Sequence, residues 1–214
     1  MATAFTDAAG RSVTLASLAA GRPLLLAPVQ HHCPNLCGFT LAGLSGRLRE
    51  TGLDRSTSVV ALGIDPHETA ADAGASAARL KGLAHADAVV GQAPAIAVVT
   101  HAIGYRYAFD PQLGQFAHAA ATAVITPDGR LSSWLYGLQP PAEVVRAAVS
   151  LAAKGGGGSF GERLILLCYH FDAATGRYTN VAAIALRVAA ASTALALAAF
   201  IGWSLLRERR RAAR

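Results

Sequence analysis

Two cysteines separated by three residues, Cys33 and Cys37 in the run His32-Cys33-Pro34-Asn35-Leu36-Cys37, are the residues of this chain best suited to chemistry. They fall between a continuous apolar run, Pro23 to Val29, and a stretch with helical spacing of apolar residues, Leu36 to Glu50. A helix start presents unpaired N–H groups and a partial positive charge, and both favour a thiolate over a thiol. Cys33 is expected at that start, with Pro34 preorganising the first turn, and Cys37 about one turn on along the same face. Two thiolates so placed can share one metal ion or close a disulfide. Structural zinc asks for four ligands, commonly in paired clusters, and one further cysteine, Cys168, is present. Soft thiolates in a site of low coordination suit copper(I). The plainer alternative, two unrelated core cysteines, sits poorly with the polar strand-to-helix loop that carries them.

The elements that must position this pair can be read from hydrophobic periodicity. Ala4 to Leu15 reads as a hairpin turning at Ala9-Gly10, and PLLLAPV at 23–29 and SVVALGI at 58–64 read as buried strands. Helices are expected over Leu36 to Glu50, Thr69 to Leu83, Gln92 to Ala102 and Pro141 to Ala153, and a short strand over Tyr105 to Phe109. Ala120 to Ile125 and Leu131 to Tyr136 flank Pro127-Asp128-Gly129, a hairpin signal. Alternating strands and helices closed by a hairpin and a helix predict an α/β sandwich around a mixed sheet, with thioredoxin-like order. Thioredoxins themselves have two residues between their cysteines. A peroxide-reducing relative would carry Thr where Gln30 stands.

Charge and hydropathy organise the C-terminal part. Residues 1–153 form the expected globular domain, and 154–187 a glycine-rich linker and membrane-proximal segment. Residues 188–206 carry no charge and are expected to cross a membrane as a helix, with Trp203 near one interface. The tail 207–214 holds five of the arginines behind the formal charge of +6. Positive flanks resist translocation, so the tail is expected in the cytoplasm and the domain on the periplasmic side of the inner membrane. Because the basic residues concentrate in this tail rather than on a domain face, nucleic-acid binding is not expected. Residues 1–20 lack the apolar core of a secretory signal, so export implies a start upstream or a leader already removed.

The cysteine motif, together with Ile64-Asp65-Pro66-His67-Glu68-Thr69, Gln115-Phe116-Ala117-His118 and Thr126-Pro127-Asp128-Gly129-Arg130, resembles the Sco/SenC family of copper proteins that serve cytochrome c oxidase assembly. Leu135-Tyr136-Gly137 and LLCYHFDAATGRY at 166–178 resemble a bacterial subgroup with a C-terminal anchor. The resemblance implies a thioredoxin-like domain in which Cys33, Cys37 and His118 bind copper. An imidazole is a suitable third ligand. His32, beside Cys33, is an alternative ligand, and His31 a weaker one. Asp65 is a candidate to orient the cysteine loop from the neighbouring strand end. Cys168 and His170 form a Cys-x-His pair that reads as packing or a second metal contact. His67, His85 and His101 read as surface or satisfied residues.

Two functions need the same reduced pair. A copper chaperone would pass its ion to the copper-bearing subunit of an oxidase by ligand exchange. A thiol–disulfide oxidoreductase would use Cys33 and Cys37 to reduce the cysteines of an oxidase copper site. In an oxidising compartment the pair would close, so a thioredoxin-like reductant is an expected partner. A membrane-bound redox or copper sensor ranks third, because the tail offers no output module.

Overall fold

A computed structural model describes residues 3–32, 37–157, 170–172, 177–179, 187–197 and 200–203. Apolar patterning builds its centre. The strands are β1 (Ala4–Asp7), β2 (Ser12–Thr14), β3 (Leu24–Val29), β4 (Ser58–Gly63), β5 (Ala86–Val90), β6 (Tyr107–Asp110), β7 (Gln115–His118), β8 (Ala121–Ile125) and β9 (Leu131–Tyr136). The helices are α1 (Leu15–Ala19), α2 (Cys37–Thr51), α3 (Ala70–Arg79), α4 (Ala93–Ala102) and α5 (Ala142–Ala153). Seven strands form one mixed sheet in the order β2-β1-β5-β4-β3-β8-β9, with β3, β4 and β5 parallel and the remaining pairs antiparallel.

Both faces of the sheet are covered, which is why β3 and β4 read as unbroken apolar runs rather than as alternation. Successive residues of β3 still divide between faces. Leu25, Ala27 and Val29 pack with Leu41, Leu44 and Leu48 of α2 and with Val145 and Val149 of α5. Leu24 and Leu26 pack on the opposite side with Leu15 of α1 and Ile96 of α4. The spacing of Leu41, Leu44 and Leu48 presents one stripe of α2 to the sheet, and each buried leucine contributes about 1.5–3 kcal/mol.

Proline in a central strand is unusual because it cannot donate to the ladder. Pro28 is tolerated here because β8 pairs with β3 only over Leu24–Leu26, so Pro28 lies where β3 has β4 as its one ladder partner. The same early ending of β8 opens the C-terminal end of β3, from which the cysteine loop departs. In open α/β sheets that end of the parallel strands is where ligands bind.

Several elements went unread in the sequence. The turn into β2 leads directly into α1, whose first turn is closed reciprocally by Thr14 and Ser17 (Ser17 N donates to Thr14 Oγ1 at 3.1 Å, Thr14 N to Ser17 Oγ at 3.0 Å). β5 is mostly alanine and aspartate before Val89 and Val90, so its composition carried little strand signal. β7 pairs with β6 as a small separate hairpin in which Tyr107 faces His118. Two further short strands, β10 (His170–Asp172) and β11 (Arg177–Thr179), pair antiparallel. Gly155 and Gly156, at the start of the glycine-rich segment, accept hydrogen bonds from Arg130 Nη2 and Ser132 Oγ at 3.0 and 2.6 Å.

The expected transmembrane helix over 188–206 is overturned: among the described residues no helix is long and apolar enough to cross a membrane. The described helical stretch 187–197 reaches about 16 Å at 1.5 Å per residue, against a hydrocarbon core of roughly 30 Å. Alanines dominate here, and Ser192 and Thr193 return their hydroxyls to the carbonyls of Val188 and Ala189 at 2.7 and 2.9 Å. The basic tail 207–214 lies outside the described residues.

Candidate metal centre

Three segments converge at the C-terminal ends of β3 and β4. The first is the segment leaving β3, Gln30 to His32; Cys33 lies outside the described residues, and Cys37 opens α2. The second is the turn after β4, Ile64 to Thr69. The third is the β6–β7 hairpin, whose last residue is His118.

Gln30 ties the first segment to the third. It is buried, and its side-chain oxygen accepts a hydrogen bond from Phe116 N at 2.9 Å. Gln30 stands three residues before Cys33 and Phe116 two before His118. One amide side chain thus holds the histidine-bearing strand against the base of the cysteine loop. In the sequence Gln30 reads only as the absence of threonine. Its signal, a polar residue at the end of an apolar strand, was present but unassigned.

His118 is half-buried. Its Nδ1 lies 2.9 Å from Tyr105 Oη and 3.1 Å from the carbonyl of Ala119. Burial lowers its pKa against the opposing pull of that carbonyl, which keeps the ring neutral and therefore able to act as a nitrogen ligand. Around it runs an aromatic cluster: Tyr105 stacks on Trp134 with ring centroids 5.7 Å apart, and Tyr107 meets Phe116 edge-on at 5.5 Å.

The two histidines before Cys33 are engaged elsewhere. His31 is buried; its Nδ1 lies 2.8 Å from Ser76 Oγ and its Nε2 3.1 Å from the carbonyl of Val89. A carbonyl only accepts, so Nε2 carries the proton and Nδ1 accepts from Ser76. Burial lowers its pKa, and the ring is a neutral bracket between α3 and β5. His32 is exposed and sets Nε2 2.9 Å from Asp72 Oδ1.

Among the described residues the side chain of Asp65 is engaged within its own turn. Its carboxylate accepts from His67 N and lies against His67 Nδ1, both at 2.9 Å, closing its own turn. Glu68 reaches the described end of the segment that leads to Cys33. It is 8% exposed, and its Oε1 accepts from His32 N at 3.1 Å, one residue before Cys33. Its Oε2 finds no hydrogen-bond partner among the described residues. Burial pushes its pKa up to about 7, against the lowering effect of the His32 and His31 amides. Nothing in the sequence distinguished Glu68 from a surface carboxylate beside Thr69.

Gly63, the last residue of β4, makes room for this arrangement. A Cβ there would stand 2.8 Å from Glu68 Oε2 and 2.9 Å from His31 Nε2. Gly63→Ala is expected to destabilise the protein by about 1–3 kcal/mol, read as a lower urea midpoint. Adding Glu68→Ala should recover part of the loss, and equal stability of Gly63→Ala and the parent would refute the crowding.

Among the described residues no three His, Cys, Asp or Glu side chains form a metal-binding group. Cys33 and Cys168 lie outside those residues. His67 and His32 keep to their carboxylate partners, Asp65 and Asp72.

No curated protein matches the chain closely enough by sequence to count as a relative. Solved structures do match. ScoI of Bradyrhizobium japonicum, determined with copper bound, is 26% identical, with a TM-score of 0.58 over 69% of this chain and 95% of that one. ScoI of Arabidopsis thaliana, also with copper bound, is 15% identical, with a TM-score of 0.59 over 71% and 96%. BsSco, described as a member of the Sco family of cytochrome c oxidase assembly proteins with a disulfide switch, is 18% identical, with a TM-score of 0.59 over 71% and 91%. The model of the SCO1/SenC family matches residues 3–153, the whole of the sheet and its helices, and the chain belongs to that family.

Proposed function

We propose that this protein is a copper metallochaperone that holds copper through Cys33, Cys37 and His118 and delivers it to the copper-bearing subunit of cytochrome c oxidase. The observation that carries the reading is the Gln30–Phe116 hydrogen bond, which ties the histidine strand to the base of the cysteine loop. The donor set fits the cargo: two thiolates and one neutral imidazole suit copper, and the thiolates favour copper(I). Cys37 is the first residue of α2, and a helix start in general favours a thiolate. Glu68 holds the backbone amide next to Cys33, and Gln30 the strand before His118. The copper-bound ScoI structures support the same cargo.

A second reading is favoured by the disulfide switch described for BsSco. One thiolate of the pair attacks a partner's disulfide and forms a mixed disulfide. The other thiolate then displaces the partner's sulfur. The partner leaves as a dithiol, and this chain retains the Cys33–Cys37 disulfide until an external dithiol of thioredoxin type reduces it.

The test is titration of the reduced full chain with copper, beside the same chain with its cysteines alkylated. About one copper per reduced chain, with thiolate-to-copper charge-transfer absorption in the copper(II) form, is the expected result. No retained copper in folded, reduced protein would reject the chaperone and leave thiol exchange standing.

A further inference from the structure

We propose that Tyr105 is a positioning residue for the metal centre: its hydroxyl, with the carbonyl of Ala119, locks His118 as the tautomer protonated on Nδ1 and so assigns copper binding to Nε2. The inference rests on the reading of His118 as a ligand.

The geometry leaves one consistent proton arrangement. A carbonyl oxygen accepts and never donates. Ala119 O lies 3.1 Å from His118 Nδ1, so a hydrogen bond there puts the proton on Nδ1. Tyr105 Oη donates its own hydrogen to Ala119 O at 2.7 Å. Its lone pairs remain to accept from Nδ1 at 2.9 Å. Three groups thus close a small network in which Nδ1–H has two acceptors and Nε2 is the unprotonated nitrogen. A histidine ligand whose second nitrogen is tied to an acceptor has its tautomer and ring orientation set before the metal arrives.

Tyr105 is itself held firmly. It is 6% exposed, its ring stacks on Trp134 at 5.7 Å and 22°, and the ring of Tyr107, on β6, lies 6.3 Å away. The hydroxyl therefore cannot swing away from Nδ1 without breaking ring contacts. The tyrosine stands in the turn between α4 and β6, outside every motif singled out in the sequence, and contributes no ligand atom of its own.

Tyr105→Phe removes the oxygen and keeps the ring on Trp134. The first readout is the pair of His118 ring nitrogen resonances in long-range proton–nitrogen NMR spectra of the reduced, metal-free full chain, above the pH at which the ring titrates. The parent is expected to show the Nδ1–H form, and Tyr105→Phe a mixture of both tautomers. The second readout is copper(I) affinity by chelator competition, expected to fall about tenfold in Tyr105→Phe. An Nε2–H form in the parent would overturn the proposal, and that measurement needs no variant to fold. An unchanged tautomer together with unchanged affinity in Tyr105→Phe would also overturn it. Failure of the chaperone reading looks different: the parent would bind no copper while its His118 tautomer remained Nδ1–H.

Discussion

His118→Ala is expected to lower the affinity of the reduced chain for copper by roughly 100-fold or more, because on the proposed reading it deletes a ligand rather than one of its supports, whose loss costs 10–100-fold. The effect is measured by competition with a chelator of known affinity for copper(I). The side chain sits at the end of β7, where its removal leaves the Gln30–Phe116 tie in place, since that bond uses the backbone amide of Phe116. Folding is therefore expected to survive, which far-UV circular dichroism checks. His67→Ala serves as the contrast. His67 is 89% exposed at its side chain and bonded to Asp65 in its own turn, so its loss should leave the affinity unchanged. Equal affinities of His118→Ala and the parent would remove His118 from the site. A loss in His67→Ala of the same size would show that the measurement reads something other than ligation.

The second large effect is on stability against pH, and Glu68 carries it. A folded-state pKa of about 7 stands above the value of 4.5 that the unfolded chain resembles. Between those values the folded protein keeps a proton on Glu68 that the unfolded chain has released. Stability contributed by this group is therefore full below pH 4.5, falls as pH rises through the window, and levels off above 7. A displacement of this size amounts to about 3 kcal/mol, and the group is buried enough for solvent not to screen it away. Glu68→Gln removes the titration while keeping an oxygen for the amide of His32. The stability of Glu68→Gln minus that of the parent should thus rise with pH by about 3 kcal/mol across the window, measured by urea unfolding. Taking this difference cancels His31 and His118, whose pKa values burial lowers in both proteins and whose effect has the opposite sign: they stabilise more as pH rises toward 6.5. A difference that stays constant with pH would show that Glu68 titrates normally.

The contrast between Asp65 and Glu68 shows where local reading stops. Both belong to one motif, and both follow an apolar strand. Asp65 satisfies its carboxylate within two residues, as short acidic side chains at turns commonly do. Glu68, one methylene longer, reaches back across the parallel strands to a backbone amide 36 residues earlier in the chain. That reach depends on β3 and β4 being parallel and in register, with Val29 opposite Gly63, so that the loops leaving them lie side by side. No periodicity within the motif encodes it.

What the sequence by itself determined was whatever depends on neighbours along the chain. The apolar runs that became β3 and β4, the helical stripe of Leu41, Leu44 and Leu48, the Asp128-Gly129 hairpin and the cysteine spacing are all short-range patterns, and each was legible. Absence of charge over 188–206 was legible too, but it does not fix the length of a helix. What only the tertiary structure decided was pairing at a distance. Gln30 meets Phe116 86 residues away, His31 meets Ser76 and Val89, and Glu68 supports His32. Each of these bonds is made by a buried polar group, and such a group takes its partner from whatever strand the sheet order sets beside it. Here that order, β5-β4-β3-β8, brings together segments that the chain itself keeps far apart.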